Sequence, residues 1–312
     1  MTGQVLVTGA AGYLGSILVP ALLTSGFRVT ALDTYERGDT TLAALAANPH
    51  FEPVRGDARD EALVKELVSR ADLVIPLAAL VGAPLCKQDP IAAQTTNRDA
   101  ILMLLKHMSR QQRIIYPTTN SGYGIGQQGV FCTEETPLNP ISLYGVTKVE
   151  AEKAILDRGD GITLRLATVF GMAPRMRIDL LVNDFTWRAA TDRAVVIFEG
   201  HAKRNYIHVR DVAKAFLHAI DQYERMNGNA YNVGLSSANL SKVELCMKIK
   251  EQVPHFVWTE AAIGEDPDKR DYIVSNQKIE NTGWTPDHTL ELGIAELLRG
   301  YRMIRNGRYS NV

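Results

Sequence analysis

A five-residue run, Gln4-Val-Leu-Val-Thr8, passes directly into Gly9-Ala-Ala-Gly12-Tyr-Leu-Gly15, and apolar residues then recur at Ile17, Leu18, Ala21 and Leu22 before Gly26. The first run reads as a buried strand and the last as a helix that Gly26 stops, with a glycine-rich turn between them. Strand, tight turn and helix in that order open a βαβ unit, and a chain so begun is committed to a parallel sheet covered by helices. Glycine lets the backbone turn tightly and approach a pyrophosphate, whose charge then meets the helix N-terminus. The spacing is GxxGxxG rather than GxGxxG, so the turn gains its weight from placement more than from its letters.

The alternation continues down the chain. A second strand, Arg28–Asp33, ends on an acid 18 residues after Gly15. An acid there is placed to accept hydrogen bonds from an adenine ribose and would repel a 2′-phosphate. NAD is favoured over NADP, with Arg37 as the opposing signal. Strands are expected at Phe51–Arg55, before Gly56-Asp57-Ala58, and at 71–75, before Pro76-Leu77-Ala78-Ala79-Leu80. An amphipathic helix over 90–107 contains Asn97, and strands follow at 113–116 and 162–166. This pattern predicts an α/β fold, a Rossmann-type doubly wound parallel sheet with ligands at the carboxyl ends of its strands. Residues 1–168 form the expected cofactor domain, with a return at 204–222. Residues 169–312 form a smaller C-terminal substrate-binding part.

A reaction centre is expected at the same edge. After the strand at 113–116 the chain reads TTNSGYG and later, through PISLYGVTK, enters a helix. Hydroxyls stand at Thr118, Thr119 and Ser121, while Tyr144 and Lys148 lie four residues apart on one helix face. A lysine charge beside a phenol favours the phenolate and draws its pKa from about 10 toward working pH, which suits a general base acting on an alcohol. Taken alone, a tyrosine and a lysine at this spacing are more readily a packed ring and a solvated charge, because the pattern is common by chance. Their place on the edge that the glycine turn also occupies favours chemistry.

Composition excludes other classes. Hydrophobic residues are 46% and charged residues 22% of the 312, an ordinary globular balance with enough apolar surface for a large core. Basic residues number 34 and acidic residues 35, so neither a nucleic acid nor a membrane surface is an expected partner. Cys86, Cys132 and Cys246 lack metal-binding spacing, and free thiols with no metal are expected. The longest apolar stretch, 73–85, is interrupted by Pro76, Gly82 and Pro84 and is too short to span a bilayer. With a strand-like start in place of a leader, the expected location is the cytoplasm.

Beyond 166 the alternation fades. Arg175 and Arg177 stand in a basic loop over 172–177, Arg204 opens a strand-to-helix segment at 204–213, and Arg270 lies in a charged loop over 264–272. A last helix is expected over 290–305. Most arginines are plain surface charges, but these four recur beside glycine, proline and aromatic residues, the setting of a diphosphate clamp.

These segments together resemble the extended short-chain dehydrogenase/reductase family that acts on nucleotide sugars. The resemblance runs over nearly the whole chain. It rests on VTGAAGYLG (7–15), Asp33, GD (56–57), LAAL (77–80), Asn97, TTNSGYG (118–124) and PISLYGVTKVEAE (140–152). It continues through LRLATVFG (164–171), RNYIHVRDVA (204–213), YNVG (231–234) and KRDY (269–272). The resemblance implies Tyr144 as base, Lys148 as the residue that holds the nicotinamide ribose and tunes Tyr144, and Thr119 as a hydrogen-bond partner of the reacting hydroxyl. It implies an NAD site from Gly9, Ala11, Gly12, Tyr13 and Leu14, with Asp33, Asp57 and Ala58 at the adenosine end and Leu77, Ala78, Ala79 and Asn97 completing it. Arg204 and Arg270 would bind the diphosphate of a nucleotide-diphosphate sugar, and Asn120, Ser121, Thr168, Arg175 and Arg177 would complete the substrate site. The helices at 90–107 and 141–157 would pair across a homodimer as a four-helix bundle.

Departures from the family pattern narrow the activity. dTDP-glucose 4,6-dehydratases carry Asp-Glu directly after the threonine, and GDP-mannose 4,6-dehydratases a glutamate where Ser121 stands. The amide of Asn120 and hydroxyl of Ser121 cannot shuttle protons as a carboxylate does, so dehydration is disfavoured. Many 4-epimerases have asparagine where this chain has Thr168. The segments LAALVGAPLC (77–86), TTNSGYGIG (118–126) and GEDPDKRDYIVSN (264–276) are most similar to the GDP-manno-heptose 4-dehydrogenase branch. The expected activity is NAD-dependent oxidation of C4 of a nucleotide-activated sugar. A 4-epimerase is the near rival, and a non-catalytic NAD-binding scaffold is the rival from another class.

Overall fold

A computed structural model describes residues 3–37, 40–261 and 270–304. Its first strands are β1 (Gln4–Thr8), β2 (Arg28–Asp33), β3 (Phe51–Arg55), β4 (Leu73–Pro76), β5 (Arg113–Thr119), β6 (Phe131–Cys132) and β7 (Gly161–Leu166). They are followed by β8 (Thr168–Phe170), β9 (Ala194–Ile197), β10 (Lys203–His208), β11 (Ala230–Val233), β12 (Asn239–Ser241), β13 (Val257–Glu260) and β14 (Ile273–Val274). The helices used below are α1 (Gly15–Thr24), α2 (Glu61–Ser69), α3 (Ala83–Gln88), α4 (Pro90–Gln94), α5 (Ala100–His107), α6 (Leu143–Arg158), α7 (Leu181–Thr191) and α8 (Val209–Asp221).

Seven strands make one parallel sheet in the order β11-β7-β5-β4-β1-β2-β3. Successive residues of a strand face opposite sides, so Val5 and Val7 join one core with Leu18 and Leu22 of α1 and Phe216 of α8. Leu6 joins a second core with Leu67 of α2, Leu104 of α5 and Ile155 of α6. Helices on both faces explain why β1 reads as an unbroken apolar run. The order runs outward from β1 in two directions, which opens a crevice at the carboxyl ends of β1 and β4.

Several elements differ from expectation. The strand at 113–116 runs on to Thr119, so both threonines of TTNSGYG belong to β5. The helix at 90–107 is interrupted: a π turn, Thr95–Asp99, joins α4 to α5 and buries Asn97 at its centre. The YNVG segment supplies β11, which pairs with β7 as the seventh strand. In the segment 204–222, β10 pairs with β8 and β12 in a separate three-stranded sheet, and α8 packs against α1. The last helix ends at Gly300 and is followed by a 3₁₀ turn, Tyr301–Met303. Arg305, at the far end of its expected range, lies outside the described residues, as does 264–269 of the charged loop.

The start of α8 is fixed to the C-terminal segment. Asp211 accepts the N–H groups of Asp287 and His288, and His208 stacks on His288 at 4.2 Å while pairing with Glu296 at 2.7 Å. Among the described residues no helix is long and apolar enough to cross a membrane.

Candidate active site

A cleft of about 480 Å³ opens at the carboxyl ends of the parallel strands. Gly9, Gly12, Tyr13 and Leu14 line it, and Ala11 stands just behind, its N–H donating to Asp33 at 2.9 Å. Gly9 adopts a φ of 67°, and a Cβ there would come within 2.6 Å of the Ala78 nitrogen. Glycine is therefore required both by the turn and by its close contact with the loop after β4. Helix α1 starts with no side-chain cap and no acid in its first turn; the Ser16 and Ile17 N–H groups donate to the Gly12 and Leu14 carbonyls, and the positive end of the helix dipole is what the turn offers an anion.

Asp33 ends β2 on the cleft wall, its other oxygen held by the Tyr35 N–H at 2.9 Å. Asp57 and Ala58 follow on the same wall, with Asp57 in a 2.5 Å ion pair with Arg59. Arg59 holds the Asp57 carboxyl below the usual range. This arginine, which also lines the cleft, was not singled out from the sequence; its only signal there is its place two residues after Asp57. Leu77, Ala78 and Ala79 form the apolar side. Asn97 does not line the cleft: its amide accepts the Leu80 N–H at 2.8 Å and donates to the Leu80 carbonyl at 2.9 Å, clamping that loop from behind. Glycine turn, helix terminus, ribose-facing acid and apolar wall together fit a dinucleotide.

At the inner end, β5 delivers Thr119 and α6 delivers Tyr144 and Lys148. Ser142 caps α6 by accepting the Gly145 N–H at 3.1 Å, which fixes where its first turn begins. Thr119 lines the cleft with Tyr144 and Lys148, and its hydroxyl lies 2.8 Å from that of Ser121. Lys148 is 4% exposed, with Nζ 3.9 Å from the centre of the Tyr116 ring.

The expected tuning is reversed in this cleft. Burial pushes the Tyr144 phenol up to about 12, although Arg270, Arg177 and the nearby Thr119 hydroxyl oppose it. Burial likewise pushes the Lys148 ammonium down to about 7, with Glu152 opposing. Desolvation disfavours both charged forms and here outweighs the neighbouring charges.

On the substrate side, Thr168, Ser121, Arg175, Arg177 and Arg270 line the cleft, so that three of the four arginines share it and Arg204 does not. Arg270 donates to the Ser121 hydroxyl and Arg177 pairs with Asp179, both near Tyr144. The backbone N–H of Arg175 donates to the Ser16 hydroxyl at 3.4 Å, and burial, with the charges of Arg177 and Arg37, holds its guanidinium below the ordinary range. Arg204 does not line the cleft; it is buried 5.9 Å from the Tyr272 ring centre, in a strand buried on both faces from Arg204 to His208. Asn120 is buried too, its amide without a hydrogen-bond partner among the described residues.

Residues 5–234 match the model of the NAD dependent epimerase/dehydratase family. The chain belongs to that family. Relatives of the NAD dependent epimerase/dehydratase type include the low-salt glycan biosynthesis protein Agl12 of Haloferax volcanii, 30% identical, with 93% of this chain and 96% of that protein covered. A UDP-glucose 4-epimerase of Corynebacterium glutamicum is 29% identical, with 92% of each chain covered. Among solved structures, UDP-glucose 4-epimerase of Thermotoga maritima with UDP-glucose superposes with a TM-score of 0.83 at 26% identity, covering 96% of this chain and 99% of the other. As a family member the chain is an NAD-dependent enzyme of the extended short-chain dehydrogenase/reductase type. The scaffold alternative is thereby set aside.

Proposed function

We propose that the enzyme oxidises C4 of a nucleotide-activated sugar of the GDP-manno-heptose type to the 4-keto sugar. The observation that carries this is the gathering of Thr119, Tyr144 and Lys148 on one wall of the cleft, with no carboxylate at Asn120 or Ser121. NAD, when bound, supplies the hydride acceptor. Tyr144 takes the proton of the C4 hydroxyl, Thr119 hydrogen-bonds that hydroxyl, and Lys148 holds the nicotinamide ribose. Asp33 and Asp57 hold the adenosine end, and Arg177, Arg270 and Thr168 hold the sugar nucleotide. Without a carboxylate to remove water across C5 and C6, the ketone keeps its C6 oxygen.

A 4-epimerase is the second reading, and the full-length likeness to UDP-glucose 4-epimerases favours it. An epimerase retains the ketone, turns the ring and returns the hydride to the other face. The test is a GDP-manno-configured sugar carrying deuterium at C4, with products analysed by mass spectrometry and NMR. Label leaving C4 beside a free 4-keto sugar of unchanged C6 supports the dehydrogenase. Label retained at an inverted C4 makes the protein an epimerase, and loss of water overturns the argument from Asn120 and Ser121. Assembly as a homodimer through the runs 90–107 and 141–157 is part of the proposal, supported by the exposed Ile91 and Leu102 in the first of them.

A further inference from the structure

Tyr144, Lys148 and Glu152 stand at i, i+4 and i+8 of α6, so they form one row down a single face of the helix. Lys148 and Glu152 are both withdrawn from water, at 4% and 2% exposure. Glu152 Oε1 accepts both Nε and Nη2 of Arg165, at 2.9 and 2.6 Å. Its Oε2 has no hydrogen-bond partner among the described residues. Arg165 is held in turn by the Tyr123 hydroxyl and the Glu134 carbonyl, at 3.0 and 3.1 Å, so the carboxylate is fixed rather than mobile.

A buried carboxylate that satisfies only one oxygen is costly unless the other faces a charge. We infer that Glu152 is a positioning residue for the redox centre: it holds a fixed negative charge one helical turn from Lys148 and favours the protonated lysine against the pull of burial. The inference rests on the proposed roles of Tyr144 and Lys148.

The other groups around Lys148 supply no such charge. Tyr116 of β5 offers a neutral ring, its phenol pushed well up by burial. Cys86 of α3 is a thiol pushed up by burial to about 11. Tyr144, on the same face of α6, is neutral until it gives up its proton. Against them burial alone drives Lys148 toward the free amine, and Glu152 is the leading influence in the opposite direction. With the carboxylate in place the row alternates once Tyr144 is ionised: phenolate, ammonium, carboxylate, guanidinium. Each charge then has a neighbour of opposite sign, which is how such a chain survives desolvation.

The test reads the lysine directly. In full-length protein labelled at lysine Cε, the Lys148 signal is assigned by its loss in Lys148→Arg and followed by NMR against pH. Glu152→Gln keeps the shape and deletes the charge, and is expected to lower the Lys148 midpoint by about one pH unit or more. A midpoint unmoved by the change overturns the inference. Because Glu152→Gln leaves the Arg165 cation without its partner, the paired variant Glu152→Gln with Arg165→Gln is measured beside it. A midpoint still lowered in the pair supports direct action of Glu152, and a return to the parent value overturns it. If the single variant fails to fold, the paired variant decides alone. The titration requires no turnover, so a parent protein that oxidises no sugar nucleotide would refute the proposed function while leaving this result readable.

Discussion

Lys148 pays for its position in protons. Burial holds its folded-state pKa near 7, whereas in the unfolded chain it keeps its proton to about 10.4. Between those values the unfolded state binds more protons, so stability contributed at this residue rises with pH. The cost of burying Lys148 is largest below about pH 7 and shrinks as pH climbs toward about 10. Lys148→Met is therefore expected to raise the melting temperature of the cofactor-free protein, and by more near about pH 6 than near about pH 9. Equal gains at both would mean the ammonium is not strained by burial. At the opposite end of the cleft, Asp33 has both oxygens anchored by backbone N–H groups and faces the ribose site with a fixed charge. NAD is expected to bind at least tenfold more tightly than NADP, about 1.4 kcal/mol or more by calorimetry. Equal affinities would show that Arg37, on the same wall, overrides the acid. The identities of Tyr144, Lys148 and Asp33 were legible because motif and periodicity placed them. The direction of their tuning was not, because desolvation comes from residues distant in sequence such as Tyr116.

The π turn shows what an element can hide. The apolar rhythm of 90–107 disclosed a helix, yet one wider turn leaves that rhythm nearly intact, and its cause is a tertiary partner. Asn97 uses the turn to reach both backbone groups of Leu80, and so fixes the loop that forms the apolar wall of the cleft. Asn97→Ala deprives the half-buried Leu80 N–H of its partner and leaves its carbonyl only the Cys86 thiol, and is expected to cost about 1–3 kcal/mol of stability. It should also weaken NAD binding, because the wall is no longer held. Thermal unfolding and calorimetry check the two effects separately, and unchanged NAD affinity would mean the loop needs no clamp. Strand β10 carries the opposite lesson. It is buried on both faces from Arg204 to His208, and Arg204 packs near the Tyr272 ring rather than lining the cleft. A loop-like arginine beside an aromatic residue could not reveal that from its letters.

Across the whole molecule, the regular alternation of strands and helices made the seven-stranded sheet largely readable, since both faces must be covered. Strand β11 escaped notice because four residues carry too short a period to identify, and only its pairing with β7 defines it. The substrate side was least legible, because its arginines sit on segments whose packing decides which of them face the cleft. Assembly belongs to this scale as well. A homodimer in sedimentation at micromolar concentration is expected from the exposed Ile91 and Leu102 in the run 90–107, and a monomer would reject it. The central claim concerns what the cleft does, and one variant tests it most directly. Tyr144→Phe keeps the half-buried ring and removes only the phenol oxygen. Mixed with a nucleotide sugar that the parent oxidises, it is expected to bind NAD normally yet develop the reduced-nicotinamide absorbance about 10²–10⁴ times more slowly. Absorbance rising within a few-fold of the parent rate would contradict the assignment of Tyr144 as the base.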